Sequence, residues 1–473
     1  MSTKIRYQVI GYLPSMNWRN YFGITLLICL VFSTLRCKSP AVKQEAGTGD
    51  TFKSWAPTPP MGWNSWDCYG PTVREDEVKA NADYMAANLA AYGWQYIVVD
   101  IRWFVENTKA GGYNQTDPSY VIDEYGRYLP AINRFPSAAN GHGFTNLANY
   151  LHEKGLKFGI HIMRGIPKIA VENKLPILNA NGITADQIYS PEMQCEWLRD
   201  NYTIVADKPG AQEYYNSIFN LYAAWGVDFV KVDDIARPYH QAEIDLIRNA
   251  IDQCGRNMVL SLSPGATPLS EAEHVQRHAN MWRMVDDVWD TWPHIQHLME
   301  IAPQWYPYIA SGTWPDCDMI PLGRISLRGE RGPDRMTRLT PLEQYSLMTL
   351  FTISKSPLFY GGDLPSNDPF TLSLLTNEAV LKMHRESDEV RKLSAQDSTL
   401  AIVSNHPGDH TVYLALFNQS TTDKIVPVDL RETGIGDSCQ ITNLWTGEAL
   451  GSRKSNFEVS LAPHASVLFH LTH

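Results

Sequence analysis

Residues 225–234, Trp-Gly-Val-Asp-Phe-Val-Lys-Val-Asp-Asp, carry the pattern that decides the fold of this chain. Gly226 follows a predicted amphipathic helix, at the position where a left-handed C-cap is favoured. Residues 228–233 then form a short apolar run with β-branched side chains, which is typical of a buried strand. That strand ends in Asp233 and Asp234. A helix, a glycine and a buried strand in this order indicate a parallel α/β fold.

The same unit recurs along most of the chain. Amphipathic stretches such as 75–91 separate the strands, and Gly93 and Gly155 occupy the position of Gly226. The predicted strands are 61–66, 96–100, 157–162, 228–233, 258–263, 281–287, a short one near 316–320, and 357–361. Eight strands alternating with helices predict an α/β protein with a (β/α)8 TIM barrel over residues 55–390. A doubly wound open sheet is the structural alternative.

Two features outside this repeat predict where a site and a second domain lie. The connections at 105–138 and 164–202 are unusually long and follow strands, so in a barrel they would shape a pocket on the catalytic face. Short alternating strands follow at 399–405, 410–418, 424–430 and 465–470. They predict an antiparallel β-sandwich domain over 394–473.

The N-terminal region has the features of an export signal. Basic residues precede an apolar run at 21–32, which suits the core of a signal peptide and is short for a membrane span. We predict a leader at 1–37, a linker at 38–54, and export to the periplasm, the cell surface or the medium. Cys37 would be the site of lipidation if the leader were of the lipoprotein type, which would tether the protein to the membrane. The arginine before Cys37 fits a lipoprotein signal poorly, so both possibilities stay open. An uncleaved membrane anchor is the alternative.

Charge and cysteine spacing disfavour two kinds of ligand, nucleic acid and a metal ion. The net charge of −11 disfavours nucleic acid, and we predict no such partner. The 14 Trp and 23 Tyr fit either core packing or stacking on sugars. The seven cysteines show neither a CxxC pair nor a Cys/His metal spacing, so we predict no metal site. In an exported protein, the cysteines beyond the leader would form one or two disulfides.

Aspartates close several of the predicted strands. Asp100 ends the second strand, Asp233 the fourth and Asp287 the sixth, and Asp318 lies in the seventh. In a barrel these ends meet at the catalytic face. Glycoside hydrolysis requires two carboxyl groups across a sugar ring, so the pattern fits that chemistry. Lys231 would point to the same side of its strand as Asp233 and keep that carboxylate ionised.

The acids alone do not distinguish a glycosidase from a metal-dependent hydrolase. Arg283, four residues before Asp287, is close enough to help hold a carboxylate pair. His161 is the single histidine beside these strand ends, whereas metal sites usually mix imidazole with carboxylate. Both classes stay open at this point, with the glycosidase favoured.

Six motifs in order resemble glycoside hydrolase family 27, the α-galactosidase and α-N-acetylgalactosaminidase family. They are Pro-Pro-Met-Gly-Trp-Asn-Ser-Trp at 59–66, Gly126-Arg127 with Arg-Phe-Pro at 134–136, Lys-Val-Asp at 231–233, Trp-Arg-Met-Val-Asp-Asp at 282–287, Asp-Cys-Asp-Met at 316–319, and Ser-Pro-Leu-Phe-Tyr-Gly-Gly-Asp-Leu at 356–364. The β-rich tail also fits this family.

The resemblance implies a retaining mechanism that uses no cofactor. Asp233 would be the nucleophile and Asp287 the acid/base, with their carboxyl groups roughly 5–5.5 Å apart. Trp66 would border the sugar pocket, and Asp318 would lie near the acid/base. The implied substrate is an oligosaccharide or polysaccharide.

Three positions depart from the family pattern around the sugar. The second strand normally ends in two acids that grip O4 and O6 of galactose, but here Ile101 follows Asp100. His161 replaces an expected tyrosine, and Ser263 stands where galactosidases place Glu or Cys facing the 2-hydroxyl. The candidate substrate-binding residues are Trp66, Asp100, His161, Lys231, Ser263, Arg283 and Asp318.

An α-galactosidase with altered sugar contacts is the leading prediction. The alternatives with the same mechanism are α-N-acetylgalactosaminidase, β-L-arabinopyranosidase and isomaltodextranase. A non-catalytic glycan-binding lipoprotein is the alternative from another class. Arg102, Arg164 and Arg237 follow predicted strand ends, and they would either favour an acidic sugar or form ion pairs with the surplus aspartates.

Overall fold

The computed structural model describes residues 51–408 and 410–473. The predicted leader at 1–37, Cys37 and most of the linker at 38–54 lie outside these residues, and their assignment stays a prediction. Within the described part, none of the helices combines the length and the apolar character that a membrane crossing requires.

Parallel strands, each followed by helix, form the barrel. The strands are β1 (Met61–Asn64), β2 (Tyr96–Val99), β3 (Lys157–Met163), β4 (Phe229–Asp233), β5 (Val259–Leu262), β6 (Met281–Arg283), β7 (Trp314–Asp316, resumed at Met319–Ile320) and β8 (Leu358–Tyr360). The helices are α1 (Glu75–Asn88), α2 (Thr145–His152), α3 (Ala211–Trp225), α4 (Gln241–Gln253), α5 (Ala272–His278), α6 (Trp292–Trp305), α7 (Pro341–Ile353), α8 (Pro369–Leu375) and α9 (Glu378–Glu386). The predicted (β/α)8 fold is confirmed.

The barrel closes through β7, which is broken into two segments. Its first segment pairs with β6 and its second with β8, both in parallel. The two edge strands of the sheet are therefore the two segments of β7, and this closes the barrel. The sequence predicted one strand near 316–320. The strand is broken because Asp318 has a φ of 88° and its N–H donates to Asp316 Oδ1 at 2.9 Å.

Two other predicted strands end at least two residues earlier than expected. The strand predicted at 61–66 ends at Asn64, because Trp66 begins a single-turn helix. The strand predicted at 281–287 ends at Arg283, so Asp287 lies on the following loop. Shorter elements in the connections are Trp66–Tyr69, Ile166–Pro167, Lys168–Glu172, Tyr189–Ser190, Asn201–Ile204, Arg324–Ile325 and Arg335–Met336.

Helix α3 shows how the sequence pattern produces the barrel unit. Its C-terminus is capped by Gly226, with a φ of 82°, whose N–H donates to the carbonyls of Tyr222 and Ala223. A residue with a side chain would be strained in this conformation. The reversal at Gly226 directs the chain into β4, whose five residues are all buried.

Large apolar side chains fill the interior of the barrel. The rings of Tyr96 and Phe359 lie 5.4 Å and 5.1 Å from the ring of Phe229, and all three are buried. Met281 and Trp314 belong to the same cluster. The barrel is therefore a packed core, and a ligand site is expected at its carboxyl end rather than along its axis.

The C-terminal strands form the predicted β-sandwich. They are β9 (Asp388–Gln396), β10 (Thr399–Asn405), β11 (Val412–Asn418), β12 (Lys424–Asp429), β13 (Ser438–Asn443), β14 (Ala449–Lys454), β15 (Asn456–Leu461) and β16 (Ser466–Thr472), with a one-turn helix at Leu430–Thr433. One sheet has the order β9-β10-β11-β16-β13-β14, and β12 pairs with β15. Leu414, Val426 and Leu471 belong to the apolar core of this domain.

The prediction of disulfides is not supported. The five cysteines of the described residues are all free thiols. They belong to different parts of the fold. Cys68 donates to the carbonyl of Gly361 in the barrel, whereas Cys439 belongs to the sandwich core.

Candidate functional site

A pocket of about 720 Å³ opens at the carboxyl ends of the barrel strands. The predicted residues that line it are Trp66, Asp100, His161, Lys231, Asp233, Ser263, Arg283 and Asp287. Asp318 lies behind the pocket wall, where it contacts Arg283. The fold thus brings the two proposed catalytic carboxylates into one pocket, from β4 and from the loop after β6.

Asp100, His161 and Asp233 form a line of alternating charge across β2, β3 and β4. His161 Nδ1 lies 2.7 Å from Asp100 Oδ1, and His161 Nε2 lies 3.3 Å from Asp233 Oδ2. All three side chains are buried. Asp233 also accepts a hydrogen bond on Oδ1 from the Asp234 N–H at 2.6 Å. The imidazole of His161 therefore lies between two carboxylates, that of Asp100 and that of Asp233.

Lys231 is a second cation beside this line, with its Nζ 4.0 Å from Asp100 Oδ2. Burial by itself would raise the pKa of Asp100, but the charges of His161 and Lys231 outweigh it and hold that pKa below the ordinary 3.8. Burial by itself would lower the pKa of His161. The Asp100 carboxylate outweighs this effect, so the pKa of His161 is raised above the ordinary 6.5. Asp100 and His161 are thus an ion pair at mildly acidic pH.

The His161→Gln variant should show when this pair stabilises the fold. Because the folded pKa of His161 is raised, its contribution is complete below pH 6.5 and disappears as the pH rises through the raised value. Because the pKa of Asp100 is lowered, its contribution is present above pH 3.8 and disappears on acidification. The difference in Tm between wild type and variant should therefore be largest between these values and shrink on the alkaline side. A pH-independent difference in calorimetric Tm would contradict the ion pair.

Arg283 connects two further carboxylates. Its Nη1 lies 2.6 Å from Asp318 Oδ1, and its Nη2 donates to Asp287 Oδ1 at 3.4 Å. Asp318 Oδ2 accepts a hydrogen bond of 2.7 Å from the N–H of Val288. Asp318 therefore holds both the guanidinium and the backbone beside Asp287. The Asp287 side chain is 47% exposed, so it can exchange protons with water.

Ile101 forms an apolar part of the pocket wall. It is buried in a cluster with Met163, Cys195 and Leu198, and Trp66, Tyr113 and Trp197 pack against this cluster. The ring of Tyr113 stacks on that of Trp66 with centroids 5.8 Å apart. The wall next to Asp100 is therefore carbon and aromatic surface at the position where the family resemblance implies a second carboxylate.

Solved structures give the deciding comparison. The chain is 47% identical to a β-L-arabinopyranosidase of glycoside hydrolase family 27 from Geobacillus stearothermophilus, in complex with arabinose. The match has a TM-score of 0.88 and covers 89% of this chain and 99% of that chain. The chain belongs to glycoside hydrolase family 27. It is therefore a glycoside hydrolase that acts on O-glycosyl bonds.

Other comparisons agree on family 27 and differ in the sugar that their names give. The profile described as alpha galactosidase A matches residues 197–386, and that of the alpha galactosidase C-terminal beta sandwich domain matches residues 397–471. A putative α-N-acetylgalactosaminidase from Bacillus halodurans C-125 is 46% identical, with a TM-score of 0.80 over 88% of this chain and 97% of that chain. An α-galactosidase from Oryza sativa subsp. japonica is 25% identical, covering 88% of this chain and 85% of its own length.

Two of the three arginines considered as anion ligands are buried in ion pairs of this family 27 fold. Arg102 donates from Nε and Nη2 to both oxygens of Asp200, at 2.9 Å and 3.0 Å. Arg164 pairs with Asp234 and Glu243, each at 2.9 Å. These guanidiniums hold the connections that frame the pocket, and neither of them lines it.

The third arginine, Arg237, lines the mouth of the pocket. Its guanidinium pairs with Asp286 at 2.8 Å, and both side chains are more than half exposed. Of the three arginines, Arg237 is therefore the one that could contact an acidic sugar, and its charge is already paired with Asp286.

The buried Arg102–Asp200 pair should be a major source of stability. Arg102 and Asp200 are 0% and 1% exposed, so Asp200→Asn leaves a desolvated cation without its counter-charge. We expect a loss of about 3–5 kcal/mol in the free energy of unfolding, measured by urea denaturation. Asp397→Asn, which breaks the surface pair with Lys424, is the matched control and should have little effect. An equal effect of both changes would contradict this view.

Several pocket residues were not predicted individually. Tyr113 and Trp197 come from the two long connections that the sequence placed on the catalytic face, so their loops were anticipated but not their side chains. A third connection, after β7, supplies further rim residues: Glu330, Arg331, Gly332, Arg335 and Arg338. No strand-end motif marks these positions, which is why the sequence pattern did not find them.

Proposed function

We propose that this protein is a retaining exo-β-L-arabinopyranosidase. The observation that carries the proposal is Ile101, a buried apolar residue in the pocket wall directly after Asp100. β-L-Arabinopyranose has the ring of α-D-galactopyranose without the exocyclic hydroxymethyl group. The pocket keeps Asp100, the first acid of the family pattern, and replaces the second acid by an alkyl side chain.

The energetics of an unpaired hydroxyl favour the smaller sugar. A galactose hydroxymethyl group placed against Ile101, Met163 and Trp66 would lose hydrogen bonds to water without regaining them from the protein. Such a loss is worth about 1–3 kcal/mol, or roughly a factor of 5–150 in binding. A pentopyranose has only a ring methylene at this position, and apolar contact suits it.

Two kinds of relative support different sugars. The 47% identity to the Geobacillus β-L-arabinopyranosidase supports the arabinopyranoside. The retention of Asp100 and the plant α-galactosidase relatives favour α-galactosidase, the leading prediction from sequence, as the second candidate. The two differ by one hydroxymethyl group in the substrate.

The proposed reaction uses Asp233 and Asp287 in two steps. Asp233 attacks the anomeric carbon and forms a glycosyl ester, while Asp287 transfers its proton to the departing glycosidic oxygen. Asp287 then removes a proton from water, which attacks the same carbon and releases the sugar and the Asp233 carboxylate. The imidazole of His161 lies against the Asp233 carboxylate, Lys231 lies beside Asp100, and Arg283 positions Asp287.

The Ile101→Asp variant tests the proposed sugar specificity. The new carboxylate can accept a hydrogen bond from the galactose hydroxymethyl group and would face the C5 methylene of arabinopyranose without a partner. We expect the ratio of kcat/KM for 4-nitrophenyl β-L-arabinopyranoside to that for the α-galactoside to fall by about 10-fold or more. The measurement is initial rates on both substrates with the same enzyme preparation.

Ile101→Val is the matched control, because it keeps the apolar wall and should retain the wild-type preference. Ile101→Asn, which adds polarity without charge, covers the case in which the buried aspartate prevents folding. If wild type prefers the α-galactoside, the arabinopyranosidase proposal is wrong and the second candidate takes its place.

The two alternatives from other functional classes, a metal-dependent hydrolase and a glycan-binding lipoprotein, can be tested directly. Activity that is undiminished in EDTA excludes the metal-dependent hydrolase. Turnover of any 4-nitrophenyl glycoside from a panel of α-Gal, α-GalNAc, β-L-Arap and α-Glc excludes the purely glycan-binding lipoprotein.

We also propose that the enzyme is exported and processed at its leader, as the apolar run at 21–32 suggests. Cell fractionation with an antibody against the sandwich domain tests export. Labelling with a radioactive or clickable fatty acid, compared between wild type and Cys37→Ala, tests the lipid tether. Recovery of the protein in the cytoplasm would contradict export.

A further inference from the structure

We propose that Asp245, His274 and His278 bind a divalent transition metal ion, with Zn²⁺ as the ion that fits best. Within residues 51–408 and 410–473, these three are the one group of His, Cys, Asp or Glu whose ligand atoms all lie within 4.8 Å of one another. The site is separate from the pocket that contains Asp233, and it does not depend on the proposed function.

Two helices of the barrel supply the ligands. Asp245 is in α4, which follows the strand ending in Asp233, and the two histidines are one turn apart in α5. His274 Nε2 and His278 Nε2 lie 2.9 Å and 3.1 Å from the same atom, Asp245 Oδ1. Residues at i and i+4 share one helix face, so α5 presents both rings to α4.

The hydrogen bond of His278 determines which of its nitrogens faces Asp245. His278 Nδ1 lies 2.8 Å from the carbonyl oxygen of His274, which can only accept, so Nδ1 carries the proton. In neutral His278, Nε2 then has a lone pair directed at a carboxylate oxygen 3.1 Å away. Two acceptors at this distance repel, unless a cation lies between them.

A shared metal ion resolves this conflict for both histidines at once. The rings of His274 and His278 stack with centroids 4.0 Å apart and an interplanar angle of 21°. A proton on His278 Nε2 would also remove the repulsion, but it would place a positive charge against the stacked ring of His274. One divalent ion bound to both Nε2 atoms and to Asp245 supplies the positive charge at a single point and leaves the rings neutral.

Each histidine of the cluster has a hydrogen-bond partner on its Nδ1. Tyr239 Oη lies 2.5 Å from His274 Nδ1 and can accept a hydrogen bond from Nδ1–H, the tautomer in which Nε2 has a free lone pair for a metal. Outer partners of this kind fix the tautomer of ligating histidines. Asp245 is 43% exposed, so an ion can enter and water can complete a tetrahedral set of two nitrogens and two oxygens.

A metal here would link the helices that follow β4 and β5, whose ends carry Asp233 and Ser263. Tyr239 belongs to the loop that also contains Arg237 at the mouth of the pocket. The ion is outside the pocket, so its role would be to stabilise this side of the barrel and not to take part in the reaction.

Metal binding is tested with tag-free enzyme that has been dialysed against EDTA and returned to chelator-free buffer. Isothermal titration with ZnCl2 should give one ion per chain. At a free Zn²⁺ concentration 100 times the Kd, the Tm should rise by roughly 3 °C. Asp245→Asn and His278→Gln should each bind Zn²⁺ at least about 10-fold more weakly and lose this rise.

His297→Gln is the matched control, since His297 is an exposed histidine on α6 outside the cluster. It should bind Zn²⁺ as wild type does. Both cluster variants are compared at their own metal-free Tm, so a variant that is merely less stable still reports its Zn²⁺-dependent shift. Absence of saturable binding, or equal binding by wild type and both cluster variants, would overturn the proposal and leave a proton shared by His278 and Asp245.

Discussion

Replacing Asp233 with alanine should lower kcat for 4-nitrophenyl β-L-arabinopyranoside by at least about 10⁴-fold, because the group that forms the covalent intermediate is gone. The loss should appear on every substrate, whatever its leaving group. Initial rates at saturating substrate measure it, with Tm and circular dichroism confirming that the variant is folded.

Adding azide to the Asp233→Ala variant tests whether Asp233 is the nucleophile. In the pocket of Asp233→Ala, azide can take the place of the missing carboxylate and attack from the same face. The product should then be the glycosyl azide of inverted configuration, α-L-arabinopyranosyl azide. A glycan-binding protein without catalysis would bind sugar equally well before and after the substitution. Wild-type rates in the variant would exclude Asp233 as the nucleophile.

Replacing Asp287 with alanine should have an effect that depends on the leaving group. General acid catalysis contributes about 10²–10⁴-fold, so kcat/KM should fall by that range for natural glycosides. It should fall much less for 4-nitrophenyl glycosides, whose leaving group needs little protonation. Azide should now restore turnover with retained configuration, since Asp233 still forms the intermediate.

Asp286→Ala is the control for this variant, because Asp286 is the adjacent exposed carboxylate and pairs with Arg237 at the rim. It should keep most of the activity on both kinds of substrate. If Asp286→Ala and Asp287→Ala behaved alike, the assignment of Asp287 would be wrong.

The barrel could be predicted from the sequence because its signals are local. Several units combine an apolar run with a glycine of positive φ just before the strand, as at Gly93, Gly155 and Gly226. The break in β7 could not be predicted, because it depends on the left-handed conformation of Asp318 and its contact with Arg283. Short, mostly exposed strands such as Ala449–Lys454 were also missed, because they lack the apolar alternation that marks a half-buried strand.

The acids of the site were predicted for the same reason, since strand ends converge in any barrel. The roles of the arginines could not be predicted. Arg102 is paired with Asp200, 98 residues away, and only the folded chain shows that this charge is neutralised. The aromatic wall of Tyr113 and Trp197 likewise depends on how two long loops fold against Ile101.

The metal site proposed on α4 and α5 illustrates a further limit of sequence patterns. The two histidines are four residues apart, but Asp245 lies in another helix, 29 residues before the first of them. A search for clustered cysteines and histidines passes over such a site. The geometry brings the three together because neighbouring barrel helices pack side by side.

The most direct test of the account is the anomer that the wild-type enzyme releases first from 4-nitrophenyl β-L-arabinopyranoside, followed by proton NMR from the first minutes of the reaction. Two displacements at the anomeric carbon, through an ester with Asp233, predict that β-L-arabinopyranose appears first and the α anomer only later by mutarotation. Initial release of the α anomer, or no hydrolysis of this glycoside by an enzyme that cleaves α-galactosides, would contradict the account.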